Sequence, residues 1–88
     1  MPLYRVVRPM GGPVDESEIE ASAYRANSCV ANFKSMEWTR SYLDRESWTF
    51  SCYYRANSEA DIREHARLSQ IPCDTVTEVD EYTPDRFG

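Results

Sequence analysis

A chain of 88 residues has room for one domain and a thin core, because a fold this small buries only about 60–65 % of its unfolded surface. The formal net charge of −5 and the pI near 4.8 argue against binding phosphate backbones or anionic membrane surfaces, which need clustered Lys and Arg. Three cysteines without a Cys-x-x-Cys pair argue against a disulfide framework and a structural zinc finger, and point to a reducing cytoplasm.

Leu3–Arg8 is short, β-branched and aromatic, and Pro9 ends it, which predicts a strand. It does not form the long apolar run of a signal peptide, and no stretch reaches the ~20 apolar residues of a membrane span. Met10–Val14 (MGGPV) is a turn, since its glycines and proline let the chain reverse. Asp15 or Ser17 then caps a helix, with Ser17 and Glu20 at capping-box spacing. Ile19, Ala23, Ala26, Val30 and Phe33 recur at helical spacing as one apolar stripe, so the helix is expected to reach about Phe33.

Met36–Asp44 and Ser47–Arg55 are both aromatic-rich and strand-like, and Arg45–Glu46 between them predicts a tight hairpin. Ser58 and Asp61 give a second capping signal. Ile62, Ala66 and Ser69 form the inner stripe of a second helix, flanked by His65 and Leu68, and Pro72 forbids its continuation. Thr75–Glu81 reads as a last strand. The order β-α-β-β-α-β is that of an α+β, ferredoxin-like domain: an antiparallel sheet with both helices on one face. Residues 1–82 form this single domain and 83–88 a loose tail.

The pentapeptide YRANS occurs at Tyr24–Ser28 and again at Tyr54–Ser58. The first copy falls inside the first helix and the second runs from a strand end into a helix cap. The same letters thus take two backbone conformations, and the match reads as coincidence and not as an internal repeat.

Helices on one side leave the other face of the sheet open. With the turn at Arg45–Glu46, Trp38, Arg40, Tyr42, Thr49, Ser51 and Tyr53 share the open face. Ser41, Leu43, Trp48, Phe50, Cys52 and Tyr54 lie under the helices. An open face that is both aromatic and polar suits a homodimer with sheet against sheet. The second reading is a ligand pocket within or beside that interface, lined by Trp38, Tyr42, Tyr53 and Glu78, as in a small dimeric α/β-barrel enzyme or binding protein.

Candidate chemistry centres on His65, the sole histidine, with Asp61 one helical turn before it and Glu64 beside it. An imidazole and carboxylates at this spacing can chelate a divalent transition metal, tune a proton, or simply sit at the edge of the core. Glu78 and Asp80 flank Val79. If Val79 faces the core, both carboxylates face the open side as oxygen ligands, an acid–base pair or an ordinary polar surface. Cys29 and Cys52 read as small core residues, whereas Cys73, after Pro72, lies in a loop.

Arg40-Ser41-Tyr42, Arg63-Glu64-His65-Ala66, Pro72 and Thr77-Glu78-Val79, in this order, resemble the bacterial family of unknown function numbered 4242, also described as nickel-binding-protein-like. The resemblance spans Leu3 to Val79. It implies a dimeric ferredoxin-like domain and binding or sequestration of nickel, with His65 and Glu78 as carried-over candidates. The chain departs from that family at Gln70, where a glycine usually precedes the apolar-proline pair, and at Cys73 and the Gly-Gly-Pro turn. The resulting expectation is a small cytoplasmic nickel-binding homodimer with metal candidates His65, Asp61, Glu64 and Glu78. The alternative is a ligand-binding or enzymatic open face at Trp38, Tyr42 and Tyr53.

Overall fold

Strand β1 (Leu3–Pro9) is the hinge of the architecture because its two faces differ: Tyr4, Val6 and Arg8 are buried, while Arg5 and Pro9 are exposed. In the computed structural model, which describes residues 1–88, β1 lies inside a four-stranded antiparallel sheet of order β2-β3-β1-β4. The other elements are α1 (Glu16–Val30), β2 (Glu37–Asp44), β3 (Thr49–Arg55), α2 (Glu59–Ser69) and β4 (Thr75–Val79). The sequence order predicts this ferredoxin-like layout of four strands and two helices, and the chain adopts it. Beyond β4 the chain forms a single 3-10 turn at Pro84–Arg86.

The core joins strand and helix residues. Tyr4, Val6, Cys52 and Tyr54 from the sheet pack with Met36, Ala56 and Ile62, and Val30, Phe33, Trp38, Phe50, Cys73 and Val76 close round them. Full burial of a side chain such as Ile62 contributes about 1.5–3 kcal/mol, so this cluster supplies the main driving force of a small fold.

Helix ends follow local chemistry. Asp15 caps α1 by backbone alone, and the Ser17–Glu20 capping box does not form. Helix α1 stops at Val30, short of Phe33, because tighter three-residue bonds take over: the amide of Asn32 donates to the Cys29 carbonyl at 3.1 Å and its side-chain amide to the same oxygen at 3.3 Å. At α2 the Ser58 hydroxyl accepts the Asp61 amide at 3.2 Å, as the capping signal predicts. Gln70 ends α2 in the left-handed region (φ 58°, ψ 44°). Its amide donates to Arg67 and that of Ile71 to Ala66, the paired bonds of a Schellman motif.

Two features of the β2–β3 hairpin differ from the expected turn. Asp44 pairs with Thr49, so the loop is the four residues Arg45–Trp48 and not two. Asp44 Oδ1 accepts the amides of Glu46 and Ser47 at 2.9 and 3.3 Å, which stabilises the longer loop, and Trp48 leaves it at φ 51°. The register moves by an even step, which preserves the faces of Arg40, Tyr42, Thr49, Ser51 and Tyr53 on the open side. Farther along, a β-bulge at Thr39 shifts the register between Trp38 and Arg40. That extra residue turns Trp38 through the sheet to the helix side.

Strand β4 corrects a second face. Val76 pairs with Val6 and Glu78 with Tyr4, whereas Val79 pairs with Leu3. Directly paired residues share a face, so Glu78 stands on the helix side and Val79 on the open side, the reverse of the expectation.

Candidate functional site

His65 belongs to the inward stripe Ile62, His65, Ala66, Ser69, all buried, and it is 0 % exposed. Its Nε2–H donates to the Ala26 carbonyl of α1 at 2.8 Å; a carbonyl only accepts, which fixes the tautomer. The ring packs on Tyr54 with centroids 5.0 Å apart and on Phe33 at 6.1 Å. Nδ1 is buried and unpartnered. Burial pushes the imidazole pKa below its ordinary value; the bond to Ala26 opposes this, and the positive charge of Arg8 adds to it. The sole histidine is therefore a neutral tie between two helices.

The carboxylates singled out with it are dispersed. Asp61 is half-buried in the first turn of α2, and its side chain makes no hydrogen bond or ion pair. Glu64 is exposed and accepts two bonds from Arg67, at 2.7 and 2.6 Å, which hold its carboxyl below the usual range. Glu78 is exposed on the edge strand without a partner. No three His, Cys, Asp or Glu side chains converge in a way that could hold a metal ion. Within one subunit the residues present do not fit a nickel site: His65 offers no accessible nitrogen, and the carboxylates stand apart.

The expected aromatic platform is divided between the two faces. Tyr42 and Tyr53 meet edge to face at 6.2 Å on the open side, and Tyr42 is 58 % exposed. They share a broad groove with Leu3, Arg5, Arg40 and Val79. Trp38 is not part of it. The bulge puts its ring on Tyr54, centroids 6.3 Å apart and nearly parallel, and its indole N–H donates to Ser41 Oγ at 2.9 Å.

Sequence reasoning passed over the most unusual polar group, Arg8. It projects from β1 toward the helices and is 2 % exposed. Its Nη1 donates to the Pro72 carbonyl at 2.9 Å, while Nη2 is buried with no partner, and no carboxylate pairs with it. Its Cζ lies 5.8 Å from the Tyr54 ring centre. Burial pushes the Tyr54 hydroxyl up to about 12, and the Arg8 charge partly counters this. The legible signal was the alternation Tyr4, Val6, Arg8, in which a cation occupies the third position of an apolar face. Beside Arg8 a cavity of about 130 Å³ separates α1 from the sheet, walled mainly by apolar groups of Ile19, Ala23, Ala26, Trp38, Phe50 and Tyr54. All three cysteines are free thiols: Cys52 is buried, Cys29 and Cys73 half-buried.

Comparison with known proteins places this geometry in a family. The model of the SCO4226-like family, described as nickel responsive protein SCO4226-like, matches residues 4–79. No curated protein matches the chain. The crystal structure of SCO4226 from Streptomyces coelicolor A3(2) superimposes with a TM-score of 0.81 over 92 % of this chain and 99 % of that one, at 11 % identity. At that identity the likeness shows a common fold. No helix is long and apolar enough to cross a membrane.

Proposed function

The chain belongs to the SCO4226-like family of nickel responsive proteins, and on that premise we propose that it is a small cytoplasmic binding protein that works as a homodimer and takes a divalent ion between its copies. The observation that supports this reading is the uncovered sheet face. Both helices pack on one side, and the other carries Leu3, Val7, Tyr53 and Val79 with exposed Tyr42, interleaved with Arg5 and Arg40, an aromatic and polar surface suited to a second sheet.

The ion would be shared because one subunit supplies too few donors. His65 is turned inward, Glu64 is engaged by Arg67, and Asp61 and Glu78 lie on the helix side, so the carboxylates that the open-face groove brings to the contact are Asp80 and Glu81, the latter beside Arg55 at 3.6 Å. Hard oxygen donors hold nickel less firmly than imidazoles do, so a useful site needs groups from both copies. Twofold symmetry supplies each group twice.

Sedimentation equilibrium combined with calorimetric titration of tag-free protein tests both parts, with zinc as the control ion. The expected result is a dimer binding one nickel per two chains, with both properties lost in Tyr42→Arg. Binding of one ion per chain that persists in a monomeric variant would overturn the shared site, and a monomeric wild-type chain would overturn the dimer.

A further inference from the structure

We propose that the cavity beneath α1 is a binding site for a small organic anion, an aromatic or branched aliphatic carboxylate, with Arg8 as its charge partner. The inference is independent of the nickel reading. It rests on the chemistry of a buried guanidinium, which stays protonated in a protein. An ionised group withdrawn from water is strongly unfavourable unless it is paired. Arg8 is 2 % exposed, has no carboxylate partner, and leaves Nη2 without any acceptor, in a chain whose net charge is −5. Acidic residues are plentiful, yet none is placed against it.

The other polar groups of the cavity have the same sense. Its polar lining is Arg8, Ser22 and Ser41. Ser41 Oγ accepts the Trp38 indole N–H at 2.9 Å and Ser22 Oγ accepts Arg25 Nη2 at 3.4 Å. With their oxygens receiving, both hydroxyl hydrogens remain to be donated. The three groups are donors set just behind the apolar wall, Nη2 itself being buried, so a carboxylate meets them only as that wall gives way.

The remaining wall selects the body of the ligand. The small residues Ala23 and Ala26 of α1 stand over Trp38, Phe50 and Tyr54, and this mismatch of size leaves the gap. Its volume is about 130 Å³, below the roughly 150 Å³ that accommodates benzene, so an aromatic carboxylate fits only with part of its body in the open mouth. Ile19, Ser22, Ala23, Trp38 and Ser41 are only half-buried, so the space opens to solvent between α1 and β2. The ligand class that fits is a planar or compact apolar group carrying one carboxylate, with the anion toward Arg8 and the apolar body against Trp38.

Benzoate serves as the probe, with benzamide as its neutral counterpart and chloride as a bare anion, followed by tryptophan fluorescence and thermal unfolding. Benzoate is expected to bind saturably, raise Tm and alter the emission of Trp38, and to bind about tenfold to a hundredfold more tightly than benzamide. Arg8→Met should lose that preference while staying folded, because the apolar side chain removes the buried charge. Ala23→Leu, which fills the cavity and leaves Arg8 in place, should abolish binding of benzoate and benzamide alike, and it decides the matter should Arg8→Met not fold. Absence of saturable binding at millimolar benzoate, equal binding by Arg8→Met, or a chloride effect as strong as that of benzoate would each overturn the proposal.

Discussion

Ala26 and His65 join the two helices through one bond: the imidazole Nε2–H of α2 donates to the α1 carbonyl at 2.8 Å with no exposure to water. Replacing His65 by Ala removes that donor, leaves a buried carbonyl unsatisfied and opens a gap against Tyr54 and Phe33. The expected loss is about 2–4 kcal/mol in urea unfolding. Nickel affinity of the folded variant should be unchanged. A variant of native stability that no longer bound nickel would return His65 to the role of ligand.

The same burial sets a pH dependence. The folded pKa of His65 lies below the ordinary 6.5, so between those values the unfolded chain holds a proton that the folded chain lacks. This contribution to stability is fully present above the unfolded value and is lost as the pH falls below 6.5 toward the folded pKa. Asp44 and Glu64, whose carboxyls are also held low, start from 3.8 and 4.5 and add their losses at more acid pH. Unfolding curves of wild type and His65→Gln should therefore diverge in shape just below 6.5. Parallel curves there would show that the imidazole charges without cost.

Gln70 holds a left-handed conformation at φ 58°, where a Cβ is unfavourable and glycine is not. Gln70→Gly is expected to raise stability by about 0.5–1 kcal/mol, read as a higher urea midpoint with unchanged slope. The exposed side chain makes no hydrogen bond whose loss would offset the gain. A lower midpoint would mean that the Gln70 side chain contributes something else.

Trp38→Phe keeps an aromatic ring on Tyr54 but removes the indole N–H from Ser41. A loss of about 0.5–1.5 kcal/mol is expected. The variant should also lose the blue-shifted component of tryptophan emission, leaving that of half-buried Trp48 on the hairpin loop. An unchanged spectrum would place Trp38 in water, on the open face.

Element order was legible because each segment carries its own period: Ile19, Ala23 and Ala26 for α1, and alternation about Phe50, Cys52 and Tyr54 for β3. The length of the hairpin loop was not, since neither Arg45 nor Glu46 favours a two-residue turn and the Asp44 side chain organises a longer one. The faces survived because the error was even. Trp38 was misplaced because a bulge at Thr39 has no marker such as glycine or proline; only long-range pairing reveals it. Glu78 was misplaced by choosing between two valines. Val76 and Val79 are three apart, so one must point away from the helices, and the sequence does not say which. The role of His65 was present in the pattern: three after Ile62 and four before Ser69, it occupies an inward helical position.

The bulge in β2 has a consequence for how copies of this chain can meet. Strand β2 is an edge of the sheet, and an unbroken edge is a template on which further strands can add without limit. Thr39 breaks that row of donors and acceptors, and its hydroxyl is already turned inward to the Tyr53 carbonyl at 3.0 Å. A neighbour cannot extend the sheet there in register. Open-ended strand addition is thereby hindered at this edge and left to the short five-residue edge β4, which matters for a protein kept folded by so small a core.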